Sequence, residues 1–199
     1  MRPPIVLAST SPYRRQLLDR LGLAYQTASP QVEETQQAGE TAQQMAGRLA
    51  EAKARAVAVS HPQALIIGAD QVAVLRDETN GQEEIIHKPG THTVAVAQLQ
   101  RFSGRTLHFY AGICLYHSGE ERARTLVVPS QVLFRTLDTD LIDSYLRREQ
   151  PYDCVGCFKS EGLGIILFEQ ITGEDPTALI GLPLIALRRL LQQENFAIL

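Results

Sequence analysis

The stretch Ile5-Val6-Leu7-Ala8-Ser9-Thr10-Ser11-Pro12-Tyr13-Arg14-Arg15 carries the reading of the fold. Ile5 to Ala8 is an apolar run of strand length, as expected of a short buried strand. Ser11 is a good N-cap, and Pro12 suits the first helical position, where its missing N–H would be unbonded anyway. Leu17, Leu18 and Leu21 then recur on one helical face, and Gly22 closes a helix predicted over 12–21. The same stretch carries chemistry. Backbone N–H groups at a helix start attract anions, and the helix dipole there favours negative charge. Arg14 and Arg15 in the first turn oppose that preference, and a phosphate would offset the conflict. An ordinary helix cap with two solvated arginines accounts for the same residues.

Outward from this segment the pattern keeps alternating between helix and strand. A polar stretch runs from Ser29 to Glu40. Thr41-Ala42-Gln43-Gln44 resembles a capping box, and Met45, Leu49, Ala52 and Ala56 continue as a helical stripe to about Val59. Ala64 to Leu75 reads as a strand, bulged or kinked near Gly68. Asn80-Gly81, within 77–82, is a hairpin-turn signal. A helix is predicted over 93–102, and two antiparallel strands over 107–116 and 125–134, joined by the Ser118-Gly119 turn. Asp138 caps a helix with Leu141, Ile142, Tyr145 and Leu146 on one face. The loop 150–162 leads into a strand predicted over 163–169, and a last helix runs from near Pro183 to about Gln193. There is no internal repeat, low-complexity tract or separating linker. The prediction is one mixed α/β domain over 1–199.

Composition excludes several classes. The chain has 199 residues, enough for a substantial core, with 44% hydrophobic and 21% charged residues, as in an ordinary soluble globular protein. A net charge of -3 argues against a nucleic-acid binder that works by bulk electrostatics. The N-terminus is too short in apolar residues for a signal peptide, and no apolar run approaches the ~20 residues of a membrane span. The default expectation is a cytoplasmic protein without membrane or nucleic-acid partners. Cys114, Cys154 and Cys157 are too few for a disulfide framework.

Asp70 stands inside the otherwise apolar Leu65-Ile66-Ile67-Gly68-Ala69-Asp70-Gln71-Val72-Ala73-Val74-Leu75. A carboxylate there is costly to bury unless it meets a cation, a metal or several donors. It is either a catalytic carboxylate or a structural one that pairs with a backbone turn. Gln71 points to the opposite face if the strand is regular. Glu33 and Glu34 are adjacent carboxylates that repel unless a cation sits nearby. Lys53 falls on the helix of Leu49 and Ala56, and Lys88 follows Ile85 and Ile86 and precedes Pro89. Each alone reads as a solvated surface charge. Together they supply carboxylates for a hard divalent cation, which takes one or two of them plus substrate phosphates, and cations for phosphate oxygens.

The ordered set of segments resembles the Maf-type nucleoside triphosphate pyrophosphatases, and within them the YceF-like subfamily proposed to act on 7-methyl-GTP. The segments that carry the resemblance are 7–15, Val-Glu-Glu-Thr at 32–35, Arg-Leu-Ala-Glu-Ala-Lys at 48–53 and Ile-Ile-Gly-Ala-Asp-Gln at 66–71. They continue with His-Lys-Pro at 87–89, Phe-Ser-Gly at 102–104, Gly-Cys-Phe-Lys-Ser-Glu-Gly at 156–162 and Ile-Gly-Leu-Pro at 180–183. The resemblance implies an elongated, two-lobed Maf/ITPase-like α/β fold with a mixed sheet and a central cleft, and frequent homodimerisation. It implies hydrolysis between the α- and β-phosphates, giving a nucleoside monophosphate and diphosphate, with a divalent metal cation (Mg²⁺ or Mn²⁺) as cofactor. By position, Ser9 and Arg14 would hold the triphosphate, and Glu34 would support metal binding or water positioning. Lys53 and Lys88 would contact phosphate oxygens. Asp70 would be the proton acceptor, a metal ligand with Glu34, or both in turn. A non-catalytic nucleotide-binding regulator of cell division, or a pyrophosphatase for another nucleotide, is the alternative.

Tyr13, Gln71 and Glu161 stand where pyrimidine-preferring relatives typically carry Arg, Thr and Gln. N7-methylation puts a positive charge on guanine, which an aromatic face attracts. Glu161 is a pure acceptor for the N1–H and N2–H donors of guanine. Alternatively, Tyr13 packs on the first helix and Glu161 pairs with Lys159. Cys154-Val155-Gly156-Cys157 has zinc or redox spacing, but no second ligand pair completes a zinc site. Small, close-packed filling beside Gly156 is the expectation. Gly162-Leu163-Gly164 is too short for a dinucleotide fingerprint. The acidic loop 76–87 has no function readable from sequence.

Overall fold

The computed structural model describes residues 2–77 and 79–199; Glu78, in the 76–87 loop, lies outside them. The chain forms β1 (Ile5–Ala8), α1 (Pro12–Asp19), β2 (Tyr25–Ala28), α2 (Ala42–Ala58), β3 (Leu65–Arg76), β4 (Glu83–Ile86) and α3 (His92–Phe102). It continues with β5 (Thr106–His117), β6 (Arg122–Phe134), α4 (Thr139–Glu149), a 3-10 helix (Leu163–Leu167), β7 (Phe168–Gly173) and α5 (Leu184–Gln193). One mixed seven-stranded sheet runs β2-β1-β3-β5-β6-β7, with β4 paired to β3. The mixed α/β class predicted from the alternation is the class observed. Two compact units share the chain: 1–71 with 110–128 and 175–199, and 72–109 with 129–174.

In the first unit β1 lies between β2 and β3 and is parallel to both, with Ala8 opposite Ala28 on one side and Gly68 on the other. The chain leaves β1 through α1 to reach β2, then crosses back through α2 to β3 on the far side. That reversal is the arrangement in which open α/β sheets bind ligands beyond the carboxyl ends of their strands. Alternation along the strands sends Ile5, Leu7, Leu65, Ile67 and Ala69 to a core with Leu17 and Leu18 of α1 and Leu187, Leu190 and Leu191 of α5. Val6, Ala8 and Ile66 go to the other face, with Ala50, Ala54 and Val57 of α2.

Helix α2 lies very close to the sheet. A Cβ on Gly68 would stand 2.0 Å from the Ala50 carbonyl oxygen, and one on Gly112 2.1 Å from that of Ala46. The register of β1 with β3 runs unbroken to Gly68, so the expected bulge is absent from this pair. The glycine instead makes room for a helix backbone. The capping box forms as predicted, with Thr41 Oγ1 accepting from Gln44 N–H and Gln44 Oε1 accepting from Thr41 N–H.

Of three other elements, one helix end shifts, one strand was not predicted, and the last helix stands where it was expected. Helix α1 ends at Asp19 rather than 21, because i→i+3 bonds from Arg20, Leu21 and Gly22 tighten the chain there, with Gly22 at φ +64°. Strand β2 carried no sequence signal because it is a partly exposed strand at the sheet's end. Helix α5 begins after Pro183, which has no side-chain acceptor. Its first N–H groups are met from upstream: Leu184 donates to Thr177 Oγ1 (2.8 Å) and Ile185 to buried Asp175 Oδ2 (2.7 Å).

In the second unit β3 and β4 pair antiparallel, with Arg76 opposite Glu83, so the Asn80-Gly81 hairpin signal holds. Gly81 sits at φ +72° and donates to the Asp77 carbonyl. Phe102, Phe109, Phe134, Phe158 and Phe168 form an aromatic core, Phe158 and Phe168 meeting edge-on at 4.7 Å between centroids. The strand predicted over 163–169 is instead the 3-10 helix, and β7 follows it. Leu163 N–H donates to the Glu149 carboxylate rather than to a strand, and a Cβ on Gly164 would stand 2.5 Å from Lys159 O. An apolar run without a period leaves strand and helix undecided, and these two local anchors decide it.

Candidate active site

Ser9 and α1 follow directly on the carboxyl end of β1, and Asp70 lies within β3, just past Gly68, the partner of Ala8. Ser9 is buried, and its hydroxyl accepts from Ser11 N–H at 3.1 Å. Ser11 in turn caps α1 by accepting from Arg14 N–H. Gly68 and Asp70 lie on the same face of β3, the face that α2 covers. The close fit of α2 at Gly68 therefore sets where Lys53, one residue before Ala54, meets that strand.

Lys53 is the centre of the cluster. Its Nζ donates to Asp70 Oδ1 at 2.5 Å and lies 2.6 Å from Glu34 Oε1. Lys53 and Asp70 are both buried, with side chains 8% and 9% exposed, whereas the Glu34 side chain is 60% exposed. The surface-charge reading of Lys53 and the backbone-turn reading of Asp70 both give way to this ion pair. Glu34 is carried by an irregular segment that Arg48 fastens to α2. Arg48 Nε and Nη2 grip both oxygens of Glu40 at 2.6 and 2.8 Å, and Nη2 also donates to Thr35 O. Arg48 opens the 48–53 motif, and its place on the same helix as Lys53 was the signal available in the sequence.

Arg14 is half-buried and donates from Nε to Gly181 O at 2.9 Å. Burial pulls its guanidinium below the ordinary value, while the negative charges of Asp70 and Glu34 pull it back up. An arginine stays protonated under any physiological condition, so the position carries a fixed positive charge. Gln71, on the opposite face from Asp70 as predicted, donates from Nε2 to Ala178 O and Leu179 O, both at 3.0 Å. Arg14 and Gln71 thus pin the Ala178–Gly181 segment, a role that sequence reasoning missed because it joins residues far apart in the chain. Tyr13 is half-buried in the first turn of α1.

The charges of Asp70, Glu34, Lys53 and Arg14 sum to zero. Two carboxylates are a donor set that a hard cation such as Mg²⁺ accepts, because it fills its remaining positions with water and phosphate oxygens. Among the described residues no group of three or more His, Cys, Asp or Glu side chains forms a complete protein cage for a metal.

The second unit holds Lys88 and Glu161. Lys88 is exposed between His87 and buried Pro89. Gln98 of α3 donates to His87 O at 3.1 Å and accepts from Cys157 Sγ at 2.7 Å, joining the Lys88 segment to the Cys157 segment. Cys157 is buried, and burial pushes its thiol up to about 12, which suits packing and not redox chemistry. Glu161 is exposed, and Lys159 pairs with Glu149 at 3.3 Å. The alternative in which Lys159 takes Glu161 is not the arrangement observed.

The comparisons with known proteins agree with one another. The family model described as Maf-like protein matches residues 4–194. The chain is 50% identical over 197 residues to a Nitrosococcus oceani protein named 7-methyl-GTP pyrophosphatase, covering 99% of this chain and 96% of that one. It is 48% identical over 195 residues to a Colwellia psychrerythraea protein of the same name, covering 98% and 94%. An Aromatoleum aromaticum protein, again of that name, is 50% identical over 191 residues, covering 96% and 95%. With a family match that spans almost its whole length and relatives at this identity, the chain belongs to the Maf family.

Proposed function

We propose that the protein is a nucleoside triphosphate pyrophosphatase that hydrolyses 7-methyl-GTP to 7-methyl-GMP and diphosphate. The observation that carries the reading is buried Lys53 shared between Asp70 and Glu34 and under the charge influence of Arg14, where β3 runs on past the carboxyl end of β1 at the reversal of strand order. The relatives' shared name supports the substrate. No helix among the described residues is long and apolar enough to cross a membrane. A cytoplasmic setting, a divalent cation and self-association belong to the same proposal.

In this reading water attacks the α-phosphorus, the bond from that phosphorus to the bridging oxygen breaks, and diphosphate leaves. Asp70 accepts the proton of the attacking water, and Lys53 holds its carboxylate in one orientation. Arg14 and Lys88 take phosphate oxygens and offset the charge that develops on the leaving diphosphate, while Ser9 donates its hydroxyl. Glu34 and Asp70 would hold Mg²⁺ or Mn²⁺, which supplies charge neutralisation for the triphosphate.

Base choice rests on Tyr13 and Glu161. An aromatic face attracts the cationic ring of an N7-methylated guanine. Glu161 accepts from its N1–H and N2–H donors and adds a negative charge that favours a cationic base over a neutral one. With Lys159 held by Glu149, its neighbour does not cancel that charge. Gln71 acts on the base indirectly, through the Ala178–Gly181 segment it pins.

The substitution Glu161→Gln keeps shape and removes charge. The expected result is a fall of about tenfold or more in the kcat/KM preference for 7-methyl-GTP over GTP, with GTP hydrolysis retained, the scale of one charge interaction in a partly screened site. Parallel losses on both nucleotides would remove Glu161 from base selection.

A further inference from the structure

Glu149 is the C-terminal residue of α4 and belongs to no motif that pointed to the site. Three observations place its carboxylate in the turn that carries Glu161. Glu149 Oε2 accepts from Leu163 N–H at 2.9 Å. Glu149 Oε1 lies 3.3 Å from Lys159 Nζ, which also donates to the Glu149 carbonyl at 3.3 Å. A Cβ on Gly162 would stand 3.2 Å from both carboxylate oxygens, so the glycine leaves the space they occupy. The Lys159–Gly162 turn closes with Gly162 N–H donating to Lys159 O at 3.2 Å, which puts Lys159 and Glu161 in the same turn.

Lys159 is a cation two residues from Glu161, on a long stem able to reach it. Glu149 gives that cation another partner. We propose that Glu149 is a positioning residue for base selection: it captures Lys159 and anchors Leu163, so that the Glu161 carboxylate faces the nucleotide base with its charge uncancelled. The proposal rests on the reading of Glu161 given above. The pair is largely shielded from water, so the Lys159 ammonium is held at Glu149.

The test uses the full-length protein, with kcat/KM measured for 7-methyl-GTP and GTP under matched metal and salt. Glu149→Gln retains an acceptor for Leu163 N–H but gives up the charge that holds Lys159. Lys159 then turns to Glu161, and the methylated-to-unmethylated preference falls about tenfold while GTP turnover stays within about threefold. Adding Lys159→Met to that variant removes the freed cation and restores the preference. A purely structural role for Glu149 predicts no such restoration, because the second substitution repairs no packing. Lys159→Met alone, with Glu149 still anchoring Leu163, leaves the preference at its wild-type value. A drop in that variant would make Lys159 itself a reader of the base and overturn the proposal. An unchanged preference in Glu149→Gln would also overturn it. If Glu161→Gln already leaves the preference intact, the reading of Glu161 fails first; if Glu161→Gln abolishes it while Glu149→Gln does not, only the role of Glu149 fails.

Discussion

Asp70→Asn lowers kcat about 100- to 10,000-fold, the range associated with loss of a positioned general base. The substitution keeps the shape of the side chain and an oxygen for Lys53 Nζ, 2.5 Å away, to donate to. Lys53 also keeps Glu34 at 2.6 Å, so the buried ammonium retains an anionic partner and the fold is largely spared. Lys53→Met is the contrasting change. It leaves the buried Asp70 carboxylate without its cation, and removing one member of a buried pair costs about 3–5 kcal/mol. Steady-state diphosphate release together with a thermal melt separates the two effects. Asp70→Asn combines a large kinetic loss with a modest shift in Tm, whereas Lys53→Met loses both. Retention of more than about a tenth of wild-type kcat by Asp70→Asn would remove it from the role of proton acceptor.

Gly68→Ala is expected to cost stability on a scale comparable with the loss of Lys53. The added Cβ would stand 2.0 Å from Ala50 O, 2.8 Å from Ala54 N and 2.9 Å from Ala54 Cβ. None of these is the end of a flexible side chain, so the only relief is to lift α2 off the sheet. Overpacking of a rigid core costs about 1–3 kcal/mol and sometimes more, and a clash with helix backbone belongs at the upper end, about 3 kcal/mol or above. Lifting α2 also carries Lys53 away from Asp70, so activity falls with stability. Urea denaturation measures the effect. A loss below about 1 kcal/mol would contradict the close seating of α2 on β3.

The segment Ser9–Arg15 was legible in the sequence because its signals are local. The strand end, N-cap and proline are adjacent, and the structure forms them as read. The Thr41–Gln44 capping box was legible for the same reason. Asp70 stood out and Lys53 read alone as a surface charge; their pairing depends on how a helix seats on a strand 17 residues away in the chain. Gly68 shows the same limit. A glycine in a strand indicates a bulge or a close approach, and only the position of the Ala50 carbonyl decides between them. Glu149 and the Gln71 link to Ala178 were invisible for a related reason: charged or polar residues without periodicity acquire a role only from partners that the fold supplies.

If this chain hydrolyses 7-methyl-GTP by attack of water at the α-phosphorus, the new oxygen ends in the monophosphate. The most direct measurement is turnover of 7-methyl-GTP with Mg²⁺ or Mn²⁺ in ¹⁸O-enriched water, with both products analysed by mass. The expected result is release of diphosphate and one ¹⁸O atom in 7-methyl-GMP, with none in the diphosphate. Label in the diphosphate would contradict the site of attack, and no turnover of 7-methyl-GTP or any unmethylated triphosphate would leave a nucleotide-binding regulator in place of the enzyme.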